Sequence, residues 1–201
     1  MTNDHMLLNN NEIERALRLV GELIHADRER ISIVIIGGAA LNMLGIVNRA
    51  TRDVDVVAVA DVDDNLRLAR PPQPLPDVLV RAVKTVARDL DLPENWLNRG
   101  PASQWDVGLP PGFAGRIQWR SYAALHVGVA DRLDLIFFKL EASADQPRAD
   151  NNRHFADLLA LSPTTDELAA ASAWVKEKNA GDDYHRIVDT VTAHAIQTAR
   201  Q

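Results

Sequence analysis

Residues 31–41 read ISIVIIGGAAL, and residues 49–60 read RATRDVDVVAVA. The first stretch opens as a short β-branched run, Ile31 to Ile36, bounded by Gly37-Gly38, and reads as a buried strand. Ala39 to Leu44 has helical character, and Gly45 ends it. From Asp53 to Ala60 the chain alternates at first and then turns apolar, which reads as a second strand. Upstream, Ile13, Ala16, Leu17, Val20, Leu23 and Ile24 recur at helical spacing within residues 12–28. The order is therefore helix, strand, Gly-Gly turn, helix, strand.

Residues 61–76 form a polar, Pro-rich connection. Helical spacing returns over 78–90, with Val78, Leu79, Ala82, Val83, Val86 and Leu90 on one face, and Pro93 stops it. Residues 91–116 are the least regular, with Trp96, Trp105, Pro93, Pro101, Pro110 and Pro111. A stretch this long without clear structure is usually functional or mobile. One or two short strands are expected between Arg116 and Val129, for example Ile117–Trp119 and Ala124–Val127. The last third reads as helices over roughly 132–144, 150–161, 165–179 and 183–199, with Thr164-x-x-Glu167 as a capping box and Asp182-Asp183 capping the last. The expected fold class is α/β (α+β): a short mixed sheet flanked by helices over residues 1–130, then a helical region over 131–201, or one continuous domain.

Composition narrows the function. The chain has 201 residues, 46% apolar and 25% charged, ordinary for a globular protein with a real core. Without cysteine it has no disulfide scaffold, thiolate zinc site or cysteine nucleophile. A net charge of −6 argues against a generally basic nucleic-acid binder and leaves room for a local basic groove. Neither a signal-peptide pattern nor a membrane-length apolar run is visible, so a cytoplasmic protein with no membrane partner is expected.

The chemistry concentrates between residues 31 and 55. Two successive glycines let the backbone approach a ligand closely. The helix that follows offers unpaired N–H groups and a positive dipole end, which favour an anion, phosphate above all. Neither G-x-G-x-x-G nor a Walker Gly-Lys-Ser/Thr is present. The alternative for the glycines is a tight turn with no ligand. On a strand, residues two apart share a face, so Asp53 and Asp55 project together while Val54 and Val56 face the core. Two such carboxylates repel unless a cation lies between them, and a small oxygen set suits Mg²⁺ with its waters and a substrate phosphate. The alternative for the acids is a solvated strand edge. A phosphate cradle one strand from a carboxylate pair is what metal-assisted phosphoryl or nucleotidyl transfer requires.

Gly37-Gly38-Ala39-Ala40-Leu41 followed by Arg49-Ala-Thr51-Arg-Asp53-Val-Asp55 resembles the signature of the DNA polymerase β-like nucleotidyltransferase superfamily. Within it, this GGxAL…RxTxDxD form is similar to AbiEii-type toxins and related minimal bacterial nucleotidyltransferases. Lys139-Leu-Glu-Ala142, then Arg148, Asp150, Arg153 and Asp157-Leu158, resembles that group's later K-L-x-A…R…D…D-L segment. The likeness is close over about residues 31–60 and looser over 132–161. It implies that Gly37 and Gly38 contact nucleotide phosphates, that Arg49 and Thr51 shape the motif, that Asp53 and Asp55 bind Mg²⁺, and that Lys139 faces the nucleotide or acceptor. The alternative for Lys139 is a lysine that snorkels from its helix. The resemblance also implies an NTP substrate, an acceptor such as RNA or tRNA, and a toxin role with a cognate antitoxin. Members commonly carry a third carboxylate on a later strand. Here Asp106 lies in the irregular middle, and Asp131 and Asp134 stand where N-capping is expected.

Arg116, Arg120, Arg132, Lys139, Arg148 and Arg153 would guide an RNA backbone if they shared a face, and are otherwise solvated surface. Trp96, Trp105, Phe113 and Trp119 could stack a base, though packing is the commoner use. His126 reads as packed or hydrogen-bonded and His154 as exposed on a helix. Two other functions fit the same residues. One is a non-catalytic nucleotide- or protein-binding module; the other is a metal-dependent glycosyltransferase using Asp53-x-Asp55.

Overall fold

The computed structural model describes residues 8–61, 66–146, 152–178 and 181–199. Their elements, in chain order, are α1 (Asn10–Ala26), β1 (Ile31–Ile36), α2 (Gly37–Met43), β2 (Val54–Asp61), β3 (Arg67–Ala69), α3 (Asp77–Asp89), β4 (Leu97–Asn98), a 3₁₀ turn (Gly100–Ser103), α4 (Gln104–Val107), α5 (Phe113–Arg116), β5 (Gln118–Tyr122), β6 (Leu125–Val129), α6 (Arg132–Asp145), α7 (Arg153–Ala160), α8 (Thr165–Glu177) and α9 (Asp182–Thr198). The chain divides into two compact units: Met1–Asp106 with Ala114–Ala130, and Val107–Phe113 with Asp131–Gln201. Among the described residues no helix is long and apolar enough to cross a membrane.

The first unit is built on a mixed sheet, β3-β2-β1-β6-β5, with β4 also pairing β2. β1 lies parallel to β6 and β2 parallel to β4; the other neighbours are antiparallel. Val34, Ile35, Val54, Val56, Leu125 and Val127 are fully buried, each stabilising the sheet by roughly 1.5–3 kcal/mol on transfer from water. The connection after residue 61 contains β3, and the irregular middle contains β4. Both are too short for periodicity to reveal.

Helix α1 begins with a capping box: Asn9 Oδ1 accepts from Glu12 N, and Glu12 Oε2 accepts from Asn9 N. Its buried stripe is Ile13, Ala16, Leu17, Val20, Gly21 and Ile24. Leu23, expected on that stripe, is 37% exposed. Gly21 occupies the buried side because a Cβ there would stand 1.8 Å from the Tyr122 carbonyl oxygen. Trp96 is fully buried, with its indole N–H donating to Val83 O at 3.2 Å, so it packs and does not stack a base.

The second unit centres on α6, which is buried continuously from Asp134 to Leu140. Phe137 and Phe138 meet Trp174 edge to face, and Phe113 meets Phe138 in the same way. Asp131 caps α6 by accepting from Leu133 N, as its position implied. The Thr164–Glu167 box caps α8. Gly181 is the N-cap of α9, so Asp182 and Asp183 sit in its first turn instead of capping it.

Gly21→Ala tests the closeness of α1 to the sheet. The neighbour is backbone and cannot rotate away. Urea unfolding is expected to show a loss of about 2–3 kcal/mol; an unchanged midpoint would mean that α1 can shift freely.

Candidate functional site

The site starts from a slip in strand pairing. Along β1 and β2, Ile33 pairs Val59 and Val34 pairs Ala58, but Ile35 then pairs Val56 and Ile36 pairs Asp55. The ladder skips Val57. A slip of one residue reverses which face each side chain takes, so the bulge brings Asp55 onto the face of Ile36 and of the turn that follows. The Val57 carbonyl, at the skipped position, accepts the Trp105 indole N–H at 2.5 Å. The bulge also accounts for three consecutive buried residues, Val56, Val57 and Ala58, where alternation breaks.

Helix α2 starts at Gly37 itself, two residues earlier than the sequence suggested. Gly37 has φ +76, in the left-handed region where only glycine is at ease. A Cβ there would lie 2.6 Å from Asp55 Oδ2. The diglycine turn and the second acid are therefore in direct apposition. At Gly38, a Cβ would lie 2.8 Å from Thr51 Oγ1 and 4.0 Å from Arg49 Nη2. Gly37, Gly38, Arg49, Thr51 and Asp55, singled out by the sequence, thus form one cluster.

Asp53 immediately precedes β2 and does not belong to it. It and Asp55 are half-buried, while Val54 and Val56 are fully buried, so the expected alternation holds across 53–56. The solvated-edge reading of the acids does not hold. At Asp55, β2 pairs with β1 on one side and β4 on the other. Thr51 is 4% exposed, its backbone joined to that of Leu8 by two hydrogen bonds, 2.7 and 2.9 Å.

Two residues here escaped the sequence reading. Asn98 pairs Asp55 in parallel register, and paired residues share a face of the sheet. Its Oδ1 accepts from Gly100 N at 2.6 Å, and its amide nitrogen can act only as a donor. Asn42 is 3% exposed and donates from Nδ2 to Gly38 O at 3.1 Å and to Arg49 O at 2.9 Å. The first depends on a two-residue strand that carries no pattern. The second was visible only as a polar residue on an apolar α2 face.

Mg²⁺ is the metal that the acids imply. Two half-buried carboxylates two residues apart could hold a cation that keeps most of its waters and shares phosphate oxygens. Among the described residues, no group of three or more His, Asp or Glu side chains is gathered for a metal.

Lys139 lies in the second unit, where it is buried and not facing outward. Its Nζ donates to Asp157 Oδ2 at 2.6 Å, with side-chain exposures of 8% and 2%. The lysine therefore neither snorkels nor stands open. The K-L-x-A…D-L pattern carries a packing contact, with Leu140 and Leu158 fully buried next in sequence to the ion pair. Arg148 and Asp150, and the side chain of Asp106, lie outside the described residues. Of the basic residues expected to form an RNA-guiding face, Arg120 is paired with Glu14, Arg132 with Glu167, and Lys139 with Asp157.

A mixed sheet with a Gly-Gly strand-to-helix turn set against an acid of the neighbouring strand defines a nucleotidyltransferase-like core. The chain belongs to the family described as a nucleotidyltransferase of unknown function (DUF6036), whose model matches residues 15–184. No curated protein and no solved structure matches the chain significantly. The family match supports nucleotidyl transfer at the level of the class; the narrower likeness to AbiEii-type toxins does not follow from it.

Two experiments probe this geometry. Gly37→Ala and Gly45→Ala both place a side chain at positive φ, at a cost of about 1–2 kcal/mol. Gly45 has nothing within 4 Å of its Cβ position, so only Gly37→Ala adds the clash with Asp55. The excess loss in urea unfolding should vanish when Asp55 is also replaced by Ala. For the buried pair, Lys139→Met alone should cost roughly 3–5 kcal/mol, and Lys139→Met with Asp157→Leu should recover most of it. Nucleotidyl transfer that survives in the stable double variant would remove Lys139 from the catalytic residues.

Proposed function

We propose that this protein is a Mg²⁺-dependent enzyme that moves an NMP group from an NTP to a hydroxyl-bearing acceptor. The observation that carries this reading is the 2.6 Å separation between the Gly37 Cβ position and Asp55 Oδ2. Only a residue without a side chain lets the acid stand that close to the turn. In this reading the Gly37-Gly38 backbone admits the triphosphate, and Arg49 balances part of its charge. Thr51 holds the loop in place through its pairing with Leu8. Asp53 and Asp55 would hold Mg²⁺, which when bound neutralises phosphate charge and favours in-line attack at the α-phosphorus. Asn98, the strand neighbour of Asp55, would offer an amide donor on the same face of the sheet. The family match favours this chemistry over sugar-nucleotide transfer.

The acceptor in our proposal is RNA, tRNA in particular, and the biological role is that of a toxin restrained by a cognate antitoxin. The motif likeness over residues 31–60 supports both. Lys139 enters this reading as an anchor of the helical unit.

Incubation with each radiolabelled NTP, Mg²⁺ and total RNA, followed by electrophoresis, is expected to label an RNA band. Asp53→Asn with Asp55→Asn should abolish the label and leave the unfolding midpoint near that of the wild type. Label transfer that is unchanged in that double variant would refute the assignment. A second reading, nucleotide binding without turnover, is favoured by one observation. Among the described residues no third acid joins the pair, and the strand neighbour of Asp55 is an amide. Saturable Mg–NTP binding with no product across a broad acceptor panel would establish it.

A further inference from the structure

We infer that Asn42 is a positioning residue for the nucleotide, acting by holding the Arg49–Thr51 loop against the diglycine turn. This inference rests on the nucleotide-binding reading above. The Asn42 amide reaches two carbonyls that belong to different segments. One is Gly38 O, within the first turn of α2, and the other is Arg49 O, in the loop before β2. An ordinary helix residue would leave both to other partners. Here a single NH₂ group, on a side chain 97% removed from solvent by its 3% exposure, ties them together.

The consequence follows from how closely the tied segments approach. The Gly38 Cβ position lies 2.8 Å from Thr51 Oγ1 and 4.0 Å from Arg49 Nη2. The loop end is pinned at Thr51 by the two backbone bonds to Leu8. Between residues 44 and 50 no backbone bond reaches across to β1 or β2; the bonds in this stretch fold back to Ala40, Leu41 and Asn42 of α2. Asn42 is thus a side-chain link that ties the Arg49 backbone to the turn. Its Oδ1 has no hydrogen-bond partner, so the residue is retained for its two donors and not for a balanced amide network. A carboxylate of the same shape supplies no donor and places its charge against two carbonyl oxygens.

The test uses the full chain with glycine labelled with ¹⁵N. Ten glycines give a readable amide spectrum, in which Gly21 and Gly128 report the packed sheet while Gly37 and Gly38 report the turn. In the wild type, Mg–ATP or one of the other three Mg–NTPs should shift Gly37 and Gly38. In Asn42→Asp, apparent nucleotide affinity should fall about tenfold, the equivalent of roughly 1.4 kcal/mol. Affinity for Mn²⁺ alone at Asp53 and Asp55 should keep its wild-type value, and the Gly21 and Gly128 signals should not move. Asn42→Ser, which retains one donor, should lie between the two. It becomes the variant read if Asn42→Asp loses the Gly21 and Gly128 signals. Wild-type affinity in both variants would overturn the role of Asn42 while leaving the nucleotide reading standing. An equal loss of Mn²⁺ affinity would overturn it too, because the effect would then be general. If Gly37 and Gly38 respond to none of the four nucleotides in the wild type, the functional reading itself fails.

Discussion

The pairing of β1 with β2 slips by one residue at Val57, and the site depends on that slip. Without it, Ile36 would oppose Val56, and Asp55 would point to the other face of the sheet. The Gly-Gly turn leaves β1 directly after Ile36, so the same slip brings the acid to the turn. An unpaired carbonyl on an interior strand is expensive unless something bonds it, at about 1–3 kcal/mol. Trp105 supplies that bond from the irregular middle of the chain. A segment without visible periodicity therefore stabilises the feature that gives the motif its geometry.

Around the bulge, polar groups lock the segments in which glycine leaves the backbone loose. Gly37 and Gly45 both take positive φ and bracket α2, so this seven-residue helix contributes little order by propensity alone. Its position is fixed from outside. Asn42 ties its first turn to the Arg49 carbonyl, and Arg120 donates to the Met43 carbonyl at its last residue while pairing with Glu14 of α1. A cation at a helix C-terminus also meets the negative end of the dipole. Arg120, which sequence reasoning grouped with an RNA-guiding face, is better understood as this brace.

Much of this was legible in the chain. The stripe of α1, the apolar strand before Gly37, the Asp53/Asp55 alternation and the Thr164–Glu167 box all follow from periodicities and caps that act over a few residues. What stayed hidden was long-range. β4 is two residues long, and only its pairing with β2 places Asn98 beside Asp55. The Lys139–Asp157 bond spans 18 residues and joins two helices, so the spacing that resembled a catalytic segment carried a packing contact. Leu23 was misplaced because Gly21, with no hydrophobicity to count, takes the buried side for steric reasons. In each case a contact between distant segments outweighed the local pattern.

The two carboxylates remain the least economical feature of the fold. Asp55, on a strand paired on both sides, is half-buried and sheds part of its hydration, with a second half-buried acid, Asp53, two residues before it. A chain selected for stability alone has a simple remedy, since an amide at either position would keep the hydrogen-bonding capacity and remove the charge. The neighbouring strand shows that remedy at Asn98. An amide stands there while Asp53 and Asp55 keep their acids, and Gly37, which has no side chain, lets Asp55 Oδ2 stand 2.6 Å from where a Cβ would be. In the helical unit, the opposite charges of Lys139 and Asp157 neutralise each other within the protein.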